Sequence, residues 1–246
     1  MSAVRNLEQA GHRVGEALEH VVDEAHAQAE HAETSTGLDH RKLVMWIFIA
    51  SECIFFAALM ATFLVYKGKT PLTEGAEHLD LWVASSNTFI LLFSSLTMVL
   101  SLQSIEQGKR GRMIFFLIAT ALLGLVFLGA PLALLLALSN PLGLNTEAIA
   151  AFFGQIFLGG QTFEYYELLV NGVSLDTNLF GATFFTLTGF HGAHVAVGVV
   201  WIIMLIVRAL RGGITEHNHL AVELGGLYWH FVDLVWVVLF TIIYLI

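Results

Sequence analysis

Nine polar residues stand out because their chemistry is out of place in its surroundings. Glu52, Glu164 with Glu167, His191 with His194, and His230 with Asp233 lie in or at the edges of long apolar runs, and Arg208 with Arg211 closes one of those runs. Residues three apart share a helix face. Carboxylates and histidines projecting inward from several helices are the donor set of a metal site in a helical bundle. Depth speaks against one shared ion. At 1.5 Å per residue Glu52 sits roughly 14 Å into its run and His191 is also near mid-run. Glu164 and Glu167 form a motif at an outer end, and His230 with Asp233 falls within one to two turns of the opposite end. Ligands spread over about 20 Å cannot meet on one ion, which leaves at most Glu52, His191 and His194 as a metal cluster. The reading preferred here is that Glu52, His191, His194, His230 and Asp233 are buried, proton-linked groups satisfied by interhelical hydrogen bonds. A partner on a facing helix such as His191 is expected for Glu52.

Other chemistries find little support. The chain shows no glycine-rich phosphate loop, no nucleophile and base pattern, and no cysteine pair for haem attachment. Its single cysteine, Cys53, lies in an apolar run and reads as a small buried hydrophobe. Tyr228, Trp229 and Trp236 read as interface-belt aromatics rather than a cofactor box. Arg208 and Arg211, just past a helix end, suit either an anionic lipid head group or the setting of topology.

The elements that must position these groups are membrane helices. Hydrophobic residues make up 57% of the chain and charged ones 13%, a composition that places the apolar runs in a bilayer. About 20 helical residues cross one. Runs at about 43–66, 82–101, 180–207 and 225–246 each suffice, and 113–138 is a fifth, third in chain order, with a kink expected at Pro131. The run at 148–160 is too short for an ordinary span and reads as an outer or re-entrant helix. The fold expected is an all-α integral membrane bundle with five crossings, seven being the alternative. Basic residues at Arg41 and Lys42, at Lys109, Arg110 and Arg112, and at Arg208 and Arg211 put the N-terminus in the cytoplasm and Ile246 outside. Lys67 and Lys69 dissent.

Residues 1–40 form a separate acidic segment, with eight acidic and two basic residues, and an apolar stripe at Val4, Leu7, Gly11, Val14, Leu18, Val21 and Ala25 that predicts an amphipathic helix. Docking on a partner subunit and a solvated tail are equal readings of it. The membrane part spans 41–246.

Four motifs carry a family resemblance: TGFHGAHV at 188–195, YWHFVDLVW at 228–236, Ser51 to Phe56 with the pattern SExxFF, and QTFEYYE at 161–167. In this order, from about residue 43 to the C-terminus, the chain resembles subunit III of the haem–copper respiratory oxidases. The resemblance implies a cofactor-free accessory subunit that supports proton uptake and the integrity of catalytic subunit I. It implies haem and copper in that partner, bound phospholipid, contacts with other oxidase subunits, and a bacterial-type inner membrane. Glu52 matches the family's buried carboxyl. The chain departs from the family by an insert at about 135–160 and by its acidic N-terminal segment. A stand-alone proton-linked transporter would also place Glu, His and Asp in membrane helices, and an assembly factor is a third reading.

Overall fold

The computed structural model describes residues 39–67, 79–129 and 160–246. Six helices follow in order: α1 His40–Lys67, α2 Leu81–Glu106, α3 Arg110–Phe127, α4 Gly160–Val170, α5 Leu179–Leu210 and α6 Leu220–Phe240, the last continued by a π-helical turn Thr241–Leu245. Five spans, α1, α2, α3, α5 and α6 with its π turn, are long and apolar enough to cross a membrane. The described residues divide into two units inside α1, the first ending at Phe48 and the second running from Ile49 to Ile246. In the first, the Arg41 backbone N–H bonds the Asp39 carboxylate at 2.7 Å and holds that carboxyl below its ordinary range. The acidic segment 1–38, the short run at 148–159 expected to form an outer or re-entrant helix, and Pro131 with its expected kink lie outside the described residues.

Helix starts follow the local sequence. Asp80 accepts from the Trp82 N–H at 2.8 Å and Asn178 from the Gly181 N–H at 2.7 Å, each satisfying one of the orphan donors of a first turn. One boundary differs from expectation. The apolar run from Met113 does not continue as one helix to Leu138: α3 ends at Phe127, with Gly129 in the left-handed region at φ 72°. A glycine there closes a helix at no steric cost, while the residues beyond it stay apolar. The start of α4 fits against that end, with the Thr162 hydroxyl donating to the Leu128 carbonyl at 2.8 Å.

In the second unit α6 is the central helix and packs on α2 and α5, with α3 against both of those. Three-fifths of the last span is buried against a tenth of α1. The close approach is set by Trp229, wholly buried between two glycines. A methyl on Gly124 would meet its ring at 2.6 Å and Val199 at 2.8 Å, and one on Gly198 would meet the ring at 2.9 Å. Small residues at a membrane helix interface permit such packing. From Ile49 onward α1 touches the rest through one stripe, with Phe56 beside His191, His194 and Phe231, Phe63 beside Phe180, and Lys67 donating to the Ile242 carbonyl at 3.4 Å.

Gly124→Ala forces a methyl into an indole and a valine that cannot both yield, and should destabilise the protein by about 1–3 kcal/mol. Gly111→Ala, on the same helix with nothing within 4 Å of the new methyl, should be neutral or gain up to about 1 kcal/mol from helix propensity. Thermal unfolding of both variants in detergent checks the contrast; equal melting temperatures would remove Trp229 as the packing determinant.

Candidate functional site

Glu52 on α1 reaches across to His194 on α5, with Nε2 and Oε2 3.2 Å apart and both side chains about four-fifths buried. The other imidazole nitrogen fixes the chemistry. Nδ1 of His194 lies 2.7 Å from the Phe190 carbonyl, and a carbonyl oxygen only accepts, so Nδ1 carries a hydrogen. Nε2 then has one proton to share with Glu52. Either the carboxylic acid donates to a neutral imidazole, or an imidazolium donates to a carboxylate. Around the pair stand Phe56, edge-on to His194 at 5.0 Å, and Phe55, and Tyr228 of α6 donates to the His194 carbonyl at 2.9 Å.

The expected Glu52 partner was on the right helix but at the wrong histidine. Three residues turn a helix by roughly 300°, so His191 and His194 point about 60° apart, and only His194 faces α1. His191 is 0% exposed, stacks on Trp236 at 5.1 Å with Phe127 edge-on at 5.8 Å, and neither of its nitrogens makes a hydrogen bond among the described residues. It is an aromatic packing element in this site.

His230 and Asp233 both lie against Ser95 of α2. His230 Nδ1 lies 2.5 Å from the Ser95 hydroxyl on α2. Asp233 is buried beside the same serine, and among the described residues neither of its oxygens reaches full hydrogen-bond geometry. Glu164 of α4 is buried and accepts from the Tyr244 hydroxyl through both oxygens at 2.8 Å, which pins the π turn; Glu167 is half-buried. Arg208 and Arg211 are exposed and line a groove of about 380 Å³ with Ile203, Met204, Val207 and Gly213. Among the described residues no three His, Cys, Asp or Glu side chains converge as metal ligands.

Several placements overturn expectations from the sequence. Tyr228, Trp229 and Trp236 are buried rather than belted at an interface, and the two indoles donate across to α2, Trp229 to Ser94 at 2.9 Å and Trp236 to Thr88 at 3.0 Å. Apolar surroundings with small hydroxyls nearby satisfy an indole N–H as well as a membrane surface does. Cys53 is exposed on α1 rather than buried, because the inward stripe of that helix runs through Glu52, Phe56 and Phe63. The hydroxyl-rich stretch of α2 joins helices, with Thr97 also bonding Thr120 of α3 at 2.8 Å, although Ser85 and Ser86 turn back to their own helix. Arg110, which in the sequence reads only as part of a basic cluster that sets topology, donates to the Ala209 and Leu210 carbonyls at the end of α5. A cation that can reach a helix C-terminus is a usable signal for that role.

Comparison with known proteins bears on the same arrangement. A family model described as cytochrome c oxidase subunit III matches residues 132–246. Cytochrome c oxidase subunit 3 of Alkalihalophilus pseudofirmus is 33% identical over 229 residues, covering 91% of this chain and 96% of that protein. The subunit of the same name from a Bacillus species is 33% identical over 204 residues, 82% of this chain and 84% of its own. A probable quinol oxidase subunit 3 of Staphylococcus aureus is also 33% identical, over 211 residues, 83% of this chain and 88% of that one. With a third of its residues shared over nearly the full length of such a relative, and with five apolar spans around a carboxyl and histidine contact, this chain belongs to the cytochrome c oxidase subunit III family.

Proposed function

We propose that the chain is the accessory third subunit of a haem–copper respiratory oxidase in a bacterial plasma membrane, packed against catalytic subunit I and performing no redox step itself. The observation that carries this reading is the Glu52–His194 contact at 3.2 Å. Joined across two crossings, the pair can hold and exchange one proton but offers too few ligands for a metal ion. Haem and copper, bound in the partner, supply the oxygen chemistry. The residues of this chain keep polar groups paired inside the membrane and hold a proton near mid-depth. Basic clusters at Arg41, Lys109, Arg110, Arg112, Arg208 and Arg211 favour a cytoplasmic N-terminus and an outer C-terminus. The membrane unit from residue 41 and the acidic segment before it are read as separate parts. The relatives' names span cytochrome c and quinol oxidases at the same 33% identity, so both donors fit this subunit equally. Family membership favours this reading over a stand-alone transporter or an assembly factor.

The groove at Arg208 and Arg211 supports a bound phospholipid. Its wall of Ile203, Met204 and Val207 suits an acyl chain, and two guanidinium groups at a helix end suit a phosphate.

Purification of the native complex in mild detergent should bring down a haem-containing catalytic subunit with this chain, whereas the isolated chain should hold no stoichiometric iron or copper. Recovery of the chain alone, or metal bound to it, would count against the proposal. Within the complex, Glu52→Gln can still donate to His194 and should leave assembly and turnover near normal. Glu52→Ala leaves Nε2 unpaired and a cavity beside Phe56, a cost of about 1–3 kcal/mol that should appear as lost subunit retention. If Gln abolishes turnover while assembly is intact, Glu52 is an obligatory proton carrier instead. Replacing Arg208 and Arg211 with Gln should lower anionic phospholipid retained in native mass spectrometry by roughly tenfold or more, at about 1 kcal/mol per cation; unchanged lipid would leave the arginines a topological role alone.

A further inference from the structure

Where α3 stops and α4 begins there is a pocket of about 200 Å³ lined by Leu128, Gln161, Thr162, Tyr165, Gly189 and Gly192. Gly189 and Gly192 lie roughly 15–20 Å along α5, so the pocket sits deep within the span. Backbone that leaves the helix at such depth is tolerated where it is buried in protein or lines a water-filled cavity.

The hydrogen-bond inventory of the lining is one-sided. The Gln161 amide gives one hydrogen to the Thr188 carbonyl at 2.8 Å and one to the Tyr165 hydroxyl at 3.0 Å, exhausting its donors. Thr188 gives its own hydrogen to the Phe184 carbonyl at 2.7 Å, so in their 2.8 Å contact Tyr165 is the donor. Thr162 donates to the Leu128 carbonyl at 2.8 Å. Every side-chain hydrogen is therefore engaged, and what faces the pocket are acceptor lone pairs. Among them is Gln161 Oε1, on a side chain only 6% exposed, to which no described donor bonds. Gly192 leaves the space in front of this oxygen open, since a methyl there would stand 2.7 Å from Oε1.

An acceptor-lined pocket needs a ligand that donates. Its described lining contains no carboxylate, so a bare cation would meet no compensating charge there. Its volume exceeds several times the roughly 30 Å³ share of one liquid water. We propose that this pocket is a water-binding site inside the membrane, in which a small cluster of water molecules donates to Gln161 Oε1 and to the lone pairs of Thr162, and thereby satisfies the break between α3 and α4.

Hydroxyl-radical footprinting by X-ray radiolysis of the full-length protein in its purified complex, in water enriched with oxygen-18, reads this directly. Bound water makes radicals where it sits, so Tyr165 and Leu128 should take up label well above Phe184 and Trp229, both wholly buried. Gly192→Ala, which fills the space before Oε1, and Thr162→Val, which removes a polar partner without changing shape, should each lower labelling of Tyr165 by about fivefold, the equivalent of one hydrogen bond to a bound water. The wild-type comparison stands even if one variant fails to assemble. Labelling of Tyr165 and Leu128 no higher than that of Trp229 would mean a dry pocket and overturn the proposal. Labelling that neither variant changes would mean water arriving from bulk rather than a site, and would overturn it as well.

Discussion

A polar group inside a bilayer has no water to fall back on, so each one left unpaired costs several kcal/mol, and the packing of this chain follows from where its polar groups find partners. The helix that carries most of them is α6. Along it Tyr228 bonds α5, while Trp229, His230 and Trp236 bond Ser94, Ser95 and Thr88 of α2. Lipid tails are as apolar as leucine, so apolar burial alone would barely distinguish one rotation of α6 from another. Four directional contacts on two neighbours do distinguish them, because a quarter turn would break every one.

The helix ends are held by the same rule applied to the backbone. The last carbonyls of a helix have no partner within it. Arg110 answers those of α5 and Lys67 answers Ile242 in the closing π turn. Tyr244 then ties that turn to Glu164. Each long cation thus lies at the end of one helix and closes another, which links helix lengths to each other and fixes the relative heights of α3 with α5 and of α1 with the turn after α6.

Much of this order was legible in the sequence. The spans were, since a run of apolar residues long enough to cross is a statement about transfer energy that no tertiary context revises. The polar pairs were legible as residues that needed partners. Pairing was not, because His191 and His194 share a face only to within about 60°, and the choice between stacking on Trp236 and meeting Glu52 depends on how α1 is turned. The end of α3 was hidden for a different reason. Hydropathy records the solvent a segment tolerates, not its backbone angles, and the residues after Gly129 remain as apolar as those before it. Trp229 and Trp236 were misplaced because hydroxyls of a facing helix can satisfy an indole N–H inside the bundle, and Cys53 because the rule that apolar means buried loses its force in a membrane, where the outward face of a helix is apolar as well.

That last point bears on α1. Ile54, Leu64 and Val65 are exposed on its outer side, and in water such a surface would mark a missing partner. In a bilayer it is also the ordinary lipid face, so its apolarity carries no information about docking. The informative surface is the inner one, where a single stripe from Glu52 to Lys67 carries two polar contacts separated by Phe56 and Phe63. Those two contacts, at 3.2 Å to His194 and 3.4 Å to Ile242, lie fifteen residues apart on the helix, about 22 Å along its axis. Two fixed points so far apart set both the rotation and the height of α1, whereas the phenylalanines between them would tolerate a sliding helix. The Glu52–His194 contact is therefore an orienting device as well as a place for a proton, and its geometry depends on Lys67 at the other end of the same stripe.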